Sequence, residues 1–370
     1  MHHPDHRPVG GVFEATHGVT DLENAAEYWQ LFGFRPGPYG EADADTAQSL
    51  YGVPSAVRSL RMYHGCSDHG LIRLMEWAEP LGPGAGTAPI RTPGGRWTVQ
   101  MTTALLELQS HAELAEEAGE SVRAVFSAKQ VFGGGVADGP GVRPFHARLP
   151  LIREAVLARP DSRQVLFERH GYTVPHYGAL VDARFPASQF THVGLVHHGD
   201  PELLRFYDEG LGLLRVTDGH VSGDEDAGGK QIFERADGDT IAVYDFDDPR
   251  SGAEPARARS GRLKIAVFAP DTAVRDGVEP ADAPRRTATG NLGPASFSYR
   301  VADVEGMAAQ AARAGATRVT AVRPNEFGEP GCSFVAPDGH SWFLVDVSGP
   351  ASGRRGATRP PAAHGTGERP

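Results

Sequence analysis

Apolar and polar positions fall into recurring blocks along the chain, and the clearest block is Thr191–Leu213, THVGLVHHGDPELLRFYDEGLGL. Its first half reads as a strand, in which period-two alternation puts His192, Gly194 and Val196 on one face. Its second half reads as a helix, because Leu203, Leu204, Phe206 and Tyr207 recur at helical spacing and give one apolar side. Asp200 is placed to cap that helix and Pro201 suits its first turn.

The same succession of strand, helix and hairpin strands can be read three more times. From Val12, VFEATHGVTDLENAAEYWQLFGF is a strand followed by a helix with Leu22, Ala25, Ala26 and Trp29 on its apolar side, and Thr20 with Glu23 as a capping box. VRSLRMYHG and GLIRLMEW then read as two strands around the turn Cys66–His69. After the Pro- and Gly-rich stretch 80–95, WTVQMTTALL is a strand and HAELAEEAG a helix, with Ser110 and Glu113 as its capping box and Gly119 at its end. SVRAVFSAKQVFG, EAVLARP and RQVLFERHG supply strands for this second unit. GLLRVTDG, KQIFERAD and TIAVYDF complete the third, which Thr191–Leu213 opens. The fourth runs from SFSYRVADVEGMAAQAARAGA to CSFVAPDGHSWFLVD. Within the Pro-, Ala- and Arg-rich section 247–291, RLKIAVFAP reads as one more strand without a place in this scheme. A strand, helix and hairpin repeated four times must be read as an internal repeat before any site is assigned.

Composition narrows the function classes. Hydrophobic residues make up 40% and charged residues 22% of the 370 residues, which is globular usage. The formal net charge is −11, from 36 basic and 47 acidic residues, so a nucleic-acid partner that needs a basic face is not expected. Two cysteines, Cys66 and Cys332, lack metal-knuckle or redox spacing and predict no disulfide framework. No secretion signal is expected at MHHPDHRPVG, and no membrane partner, since no run approaches the ~20 apolar residues of a span. The expectation is a cytoplasmic protein with disordered tails at 1–10 and 350–370. No pattern specifies an oligomeric state.

Registered on their helices, the units agree: His192 precedes Phe206 by the interval at which Glu14 precedes Tyr28. With HVGL...LLRFYDEGLGL, FEATHGVTDLENAAEYWQLFGF, YRVADVEGM...ARAGA and APDGHSWFLVD, the chain from about Val12 to Val347 resembles the vicinal oxygen chelate (VOC) superfamily. That superfamily includes glyoxalases, bleomycin-resistance proteins, methylmalonyl-CoA epimerases and extradiol dioxygenases. The resemblance implies an α+β fold of four βαβββ modules paired into two curved-sheet domains, residues 11–175 and 188–348. It also implies a divalent metal as cofactor, held by His, Gln or Glu from the first and last strands of the units.

Carried over residue by residue, the first-strand positions are Glu14, Gln100, His192 and Ser296, and the last-strand position of the fourth unit is Phe343, which has no donor. The two histidines and glutamate of a ring-cleaving dioxygenase therefore read His192, Ser296 and Phe343, and that chemistry is not carried over. The N-terminal half is better supplied: Glu14, Gln100 and, in the last strand of the second unit, Glu168. Arg73 occupies the matching place in the first unit and suggests a substrate carboxylate instead. The implied function is a glyoxalase-like, metal-assisted lyase or isomerase acting on a small oxygenated metabolite. Glu14, Gln100, Glu168 and His192 would be its metal ligands, and Glu14 or Glu168 would transfer the proton. Two alternatives stay open. Glu14 and Glu168 can be read as solvated rim residues and His192 as a hydrogen-bonded core or cavity histidine. The protein would then be a drug-sequestering, bleomycin-resistance-like binder whose curved sheets hold a small-molecule ligand without chemistry.

Overall fold

The computed structural model describes residues 7–65, 68–130, 152–170, 174, 177–217, 219–247, 261–269, 272 and 283–347. Most of both expected tails and part of the expected turn at Cys66 lie outside this set. The first unit comprises β1 (Pro8–Val19), α1 (Leu22–Gln30), β2 (Phe34–Ala42), α2 (Ala44–Tyr51), β3 (Val57–His64) and β4 (Leu71–Trp77). The second has β5 (Arg96–Thr102), α3 (Leu105–Glu117), β6 (Arg123–Gln130), β7 (Ile152–Arg159) and β8 (Ser162–Arg169). The third has β9 (Ala187–His198), a helical turn over 201–210, β10 (Leu214–Arg215), β11 (His220–Ser222), α4 (Ala227–Ile232), β12 (Ile241–Asp247) and β13 (Arg262–Phe268). The fourth has β14 (Gly293–Val301), α5 (Val304–Arg313), β15 (Arg323–Pro324), β16 (Pro330–Val335) and β17 (Ser341–Asp346). In every unit the last strand runs parallel to the first: β4 beside β1, β8 beside β5, β13 beside β9, β17 beside β14. RLKIAVFAP thereby finds its place, as the closing strand of the third unit.

Several local expectations shift. Asp21, one residue after Thr20, caps α1 by accepting from the Asn24 N–H. Helix α3 begins at Leu105, so Ser110 sits inside it rather than at its start. The helix after β9 is a 3-10 turn over Pro201–Leu204 running into a π turn over Phe206–Gly210, although the apolar side read from the sequence is buried through Leu204, Phe206 and Tyr207. β1 starts at Pro8, ahead of the expected boundary at residue 11.

The units assemble into two curled mixed sheets. One has the order β15-β16-β17-β14-β1-β4-β3-β2, and the other has β10-β12-β13-β9-β5-β8-β7-β6 as its main path. The first therefore joins units one and four, through antiparallel β1 and β14. The second joins units two and three, through β5 and β9. Residues 11–175 and 188–348 do not each close a sheet of their own. β9 lies antiparallel beside β5, and β14 covers the edge of β1. Units one and two meet instead through their helix-bearing faces: Tyr28 Oη donates to Gln164 Oε1, and the His17 ring lies 3.1 Å from the Asp161 carbonyl. Units three and four do the same, with Tyr207 Oη donating to Asp338 at 2.7 Å and Trp342 Nε1 donating to Tyr207 Oη at 3.2 Å.

A large apolar core, with Trp29, Phe32, Phe190, Leu195, Tyr207, Phe297 and Trp342 among its members, fills the space between the sheets on the helix side. The opposite, concave faces carry separate clusters. One is built on Val57, Met75, Trp77 and Phe343, the other on Trp97, Val99, Val165, Phe167 and Phe268. On the second concave face Gly194 sits opposite Trp97, and a Cβ there would lie 1.9 Å from the indole. Gly194→Ala is expected to destabilise the fold by about 1–3 kcal/mol through overpacking; an unchanged midpoint in urea unfolding would contradict this packing.

Candidate functional site

Glu14 on β1, Arg61 on β3 and Arg73 on β4 project from the first concave face and are all buried. Arg61 and Arg73 are direct cross-strand partners. Arg61 Nε donates to Glu14 at 2.7 Å, while its two Nη atoms form a fork on Glu329 at 2.7 and 2.8 Å. Arg73 donates to Glu326, to Tyr51 Oη and, at 3.5 Å, to Glu14. Tyr51 in turn donates to Glu326 at 2.5 Å. Phe343, at the position where the resemblance implies a ligand, is a ring 5.2 Å from the Arg73 guanidinium. Burial alone would raise Glu326, but the Arg73 guanidinium overcomes it and holds the carboxyl below its ordinary range; Arg61 does the same for Glu329.

The other expected site residues lie elsewhere. Gln100 is on the helix side of the second sheet, in a chain of amides. It accepts from Gln164 Nε2 at 2.9 Å and donates to the Ser188 carbonyl at 2.8 Å. Its side-chain donor and acceptor are thus both engaged. A register shift between β5 and β9 at Val99/Gln100 separates it from His192, which pairs with Val99. Glu168 follows Phe167 on β8 and so faces away from His192, whose ring centre is 6.5 Å from that of Phe167.

His192 itself looks onto the second concave face. Its Nδ1 lies 2.6 Å from Tyr177 Oη and 3.1 Å from Thr191 Oγ1, which leaves Nε2 free of a partner among the described residues. Burial, with Lys264, Arg262 and Arg169 nearby, holds the imidazole well below its ordinary pKa and therefore neutral. Burial pushes the Tyr177 phenol up to about 12. Arg169 donates to the Tyr177 carbonyl at 3.1 Å and sits 5.0 and 5.1 Å from the Tyr177 and Phe167 rings. Arg262 is matched by Asp247 and, at 3.6 Å, by Asp245; the Lys264 ammonium is 3.9 Å from Asp245. Glu154 of β7 shares this face by alternation with buried Val156, and burial pushes its carboxyl up to about 7 against the opposing pull of Lys264. His192, Tyr177, Glu154, Arg169 and Lys264 are each only partly buried.

These residues do not fit a divalent metal. Both oxygens of Glu14 are engaged by guanidinium groups, Gln100 and Glu168 face the other way, and His192 looks onto three cationic side chains. Among the described residues no group of three or more His, Cys, Asp or Glu is placed to hold a metal. Sequence reasoning missed Arg61, Glu326, Glu329, Tyr177 and Lys264. The hairpin VRSLRMYHG…GLIRLMEW carried a usable signal for the first, since pairing it across its turn sets Arg61 opposite Arg73.

No protein-family model and no curated protein matches the chain. Solved structures do. Glyoxalase I from Zea mays aligns at 16% identity over 91% of this chain and 92% of that one, with a TM-score of 0.49. A 4-hydroxymandelate synthase variant from Streptomyces coelicolor aligns at 12% identity over 92% and 93%, with a TM-score of 0.30. A glyoxalase/bleomycin resistance protein/dioxygenase family enzyme from Burkholderia phytofirmans PsJN aligns at 14% identity over 42% of this chain and 97% of that one, with a TM-score of 0.25. No helix among the described residues is long and apolar enough to cross a membrane. Each unit opens on a strand and a helical segment and closes on a strand parallel to its first, and the opening strands pair antiparallel between units, so this chain has an α+β fold of two curled mixed sheets.

Proposed function

We propose that this protein binds a small oxygenated metabolite bearing a negative charge on the concave face of its second sheet. One observation carries the reading. That face presents partly buried polar groups, His192, Tyr177, Arg169 and Lys264, over an apolar floor that includes Val99, Val165 and Phe167, whereas the first face is filled by its own ion pairs. An apolar surface with a few convergent polar groups is what a small-molecule site requires. Lys264 and Arg169 supply the charge complement, and His192 Nε2 supplies a directional contact to a ligand oxygen. The metal-assisted version of a lyase or isomerase is not retained, because its ligand set does not come together. A metal-free proton transfer is the second reading, favoured by Glu154, whose carboxyl near pH 7 suits a general base.

The test is to denature the purified protein, identify released small molecules, and titrate them back onto ligand-free protein. His192→Ala and Lys264→Met should each weaken binding tenfold or more, about 1.4 kcal/mol. Recovery of the ligand unchanged after long incubation supports binding alone. Turnover that disappears in Glu154→Gln selects the proton-transfer reading. Undiminished affinity in both binding-site variants would move the site elsewhere.

A further inference from the structure

Arg61 and Arg73 face each other directly across β3 and β4, and like charges in that position disfavour a strand pair on their own account. The sheet supplies one compensating carboxylate, Glu14. The other two, Glu326 and Glu329, come from outside the ladder, from a turn between the two-residue strand β15 and β16. That turn is closed on itself. Asn325 N–H donates to the Glu329 carbonyl at 2.8 Å, and the Asn325 side chain accepts from the Phe327 and Glu329 N–H groups. Its ends, Pro324 and Pro330, are exposed, as is Gly328, while both its carboxylates reach inward. The Glu329 contact is a two-point fork on Arg61, the geometry by which arginine recognises a free carboxylate. Phe327 completes the enclosure with its ring 4.6 Å from the Arg61 and 5.2 Å from the Arg73 guanidinium.

We propose that the concave face of the first sheet is a binding site for a short dicarboxylate, shut by the chain's own Glu326 and Glu329 standing in for the two acid groups. With the turn withdrawn, two guanidiniums face one carboxylate, and an aromatic surround of Phe13, Tyr51 and Phe343 remains to hold the carbon linker. The site is separate from the second concave face and does not depend on the function proposed for it.

The test uses the full chain with succinate and glutarate as probes and acetate as the single-acid control. In Glu326→Ala/Glu329→Ala, glutarate or succinate should bind at least tenfold more tightly than in the wild type and should raise the melting temperature, while acetate does neither. The same gain in a His192→Ala background separates this site from the other. In the wild type, millimolar dicarboxylate should speed amide exchange over 324–330 as the turn is displaced. Affinity in the double variant no better than in the wild type, or equal effects of acetate, would overturn the proposal. If the double variant does not fold, wild-type exchange that ignores saturating dicarboxylate overturns it instead, and marks the turn as a permanent clamp.

Discussion

Arg61→Ala is expected to cost about 3–5 kcal/mol of folding stability, because removing one partner of a buried ion pair leaves the other charges uncompensated. Here Glu14 and Glu329 would both lose their closest cation while remaining buried. Arg58→Ala is the control. Arg58 pairs with Glu76 on the same hairpin, but its side chain is 42% exposed, and such pairs contribute about 0–1 kcal/mol. Urea unfolding of both variants measures the difference, and equal small losses would show that the buried network is not coupled. The network also has a pH signature. Glu326 and Glu329 titrate below the ordinary glutamate value of 4.5, so the unfolded chain takes up their protons first. Their contribution is complete above that value and is lost as pH falls below it towards the depressed folded values.

Acid should weaken the protein well before those glutamates titrate. Burial lowers His17 and His64 to about 4 and His340 to about 3, from an ordinary 6.5, and also holds His192 well below that ordinary value. A histidine that folds neutral gives the unfolded chain the greater proton affinity, so stability falls as pH drops from 6.5 towards the folded value and then levels off. For His17, wholly buried against Trp29, the loss between pH 7 and 4.5 is roughly 2–3 kcal/mol. Denaturant unfolding across this range should show a steep decline in the wild type and a shallower one in His17→Gln. Parallel declines would mean that His17 is solvated in the folded state.

The units were legible because their apolar positions repeat with the periods of strands and helices, and those periods are local. The pairing of units one with four and two with three was not, because nothing in a strand's own alternation names the edge it will meet. RLKIAVFAP carried strand propensity without an address for the same reason: its neighbour, β9, lies beyond the whole body of unit three. At the candidate site, His192 was registered on the correct face, since alternation along β9 fixes it relative to Gly194. Gln100 follows Val99 directly on β5 and so, by ordinary alternation, faces the helix side rather than the face that carries His192. Glu326 and Glu329 lie in a turn, where no periodicity predicts which way a side chain points.

The order in which the strands are paired also sets the order in which a newly made chain can complete them. Units two and three are consecutive, so the inner sheet has all its partners once β13 has emerged from the ribosome. The outer sheet is different. Its central seam, where the Glu14 backbone N–H donates to Ser298 Oγ, joins residues 284 positions apart. Until β14 arrives, β1 offers an open edge, with Glu14, Arg61 and Arg73 exposed beside it and the carboxylates of the 325–329 turn not yet made. Closing so distant a contact is slow, and unpaired edges invite association with other chains. The polypeptide thus closes like a pair of nested brackets, and a chain stopped before residue 293 would carry a finished inner sheet and an outer half with nothing to close against.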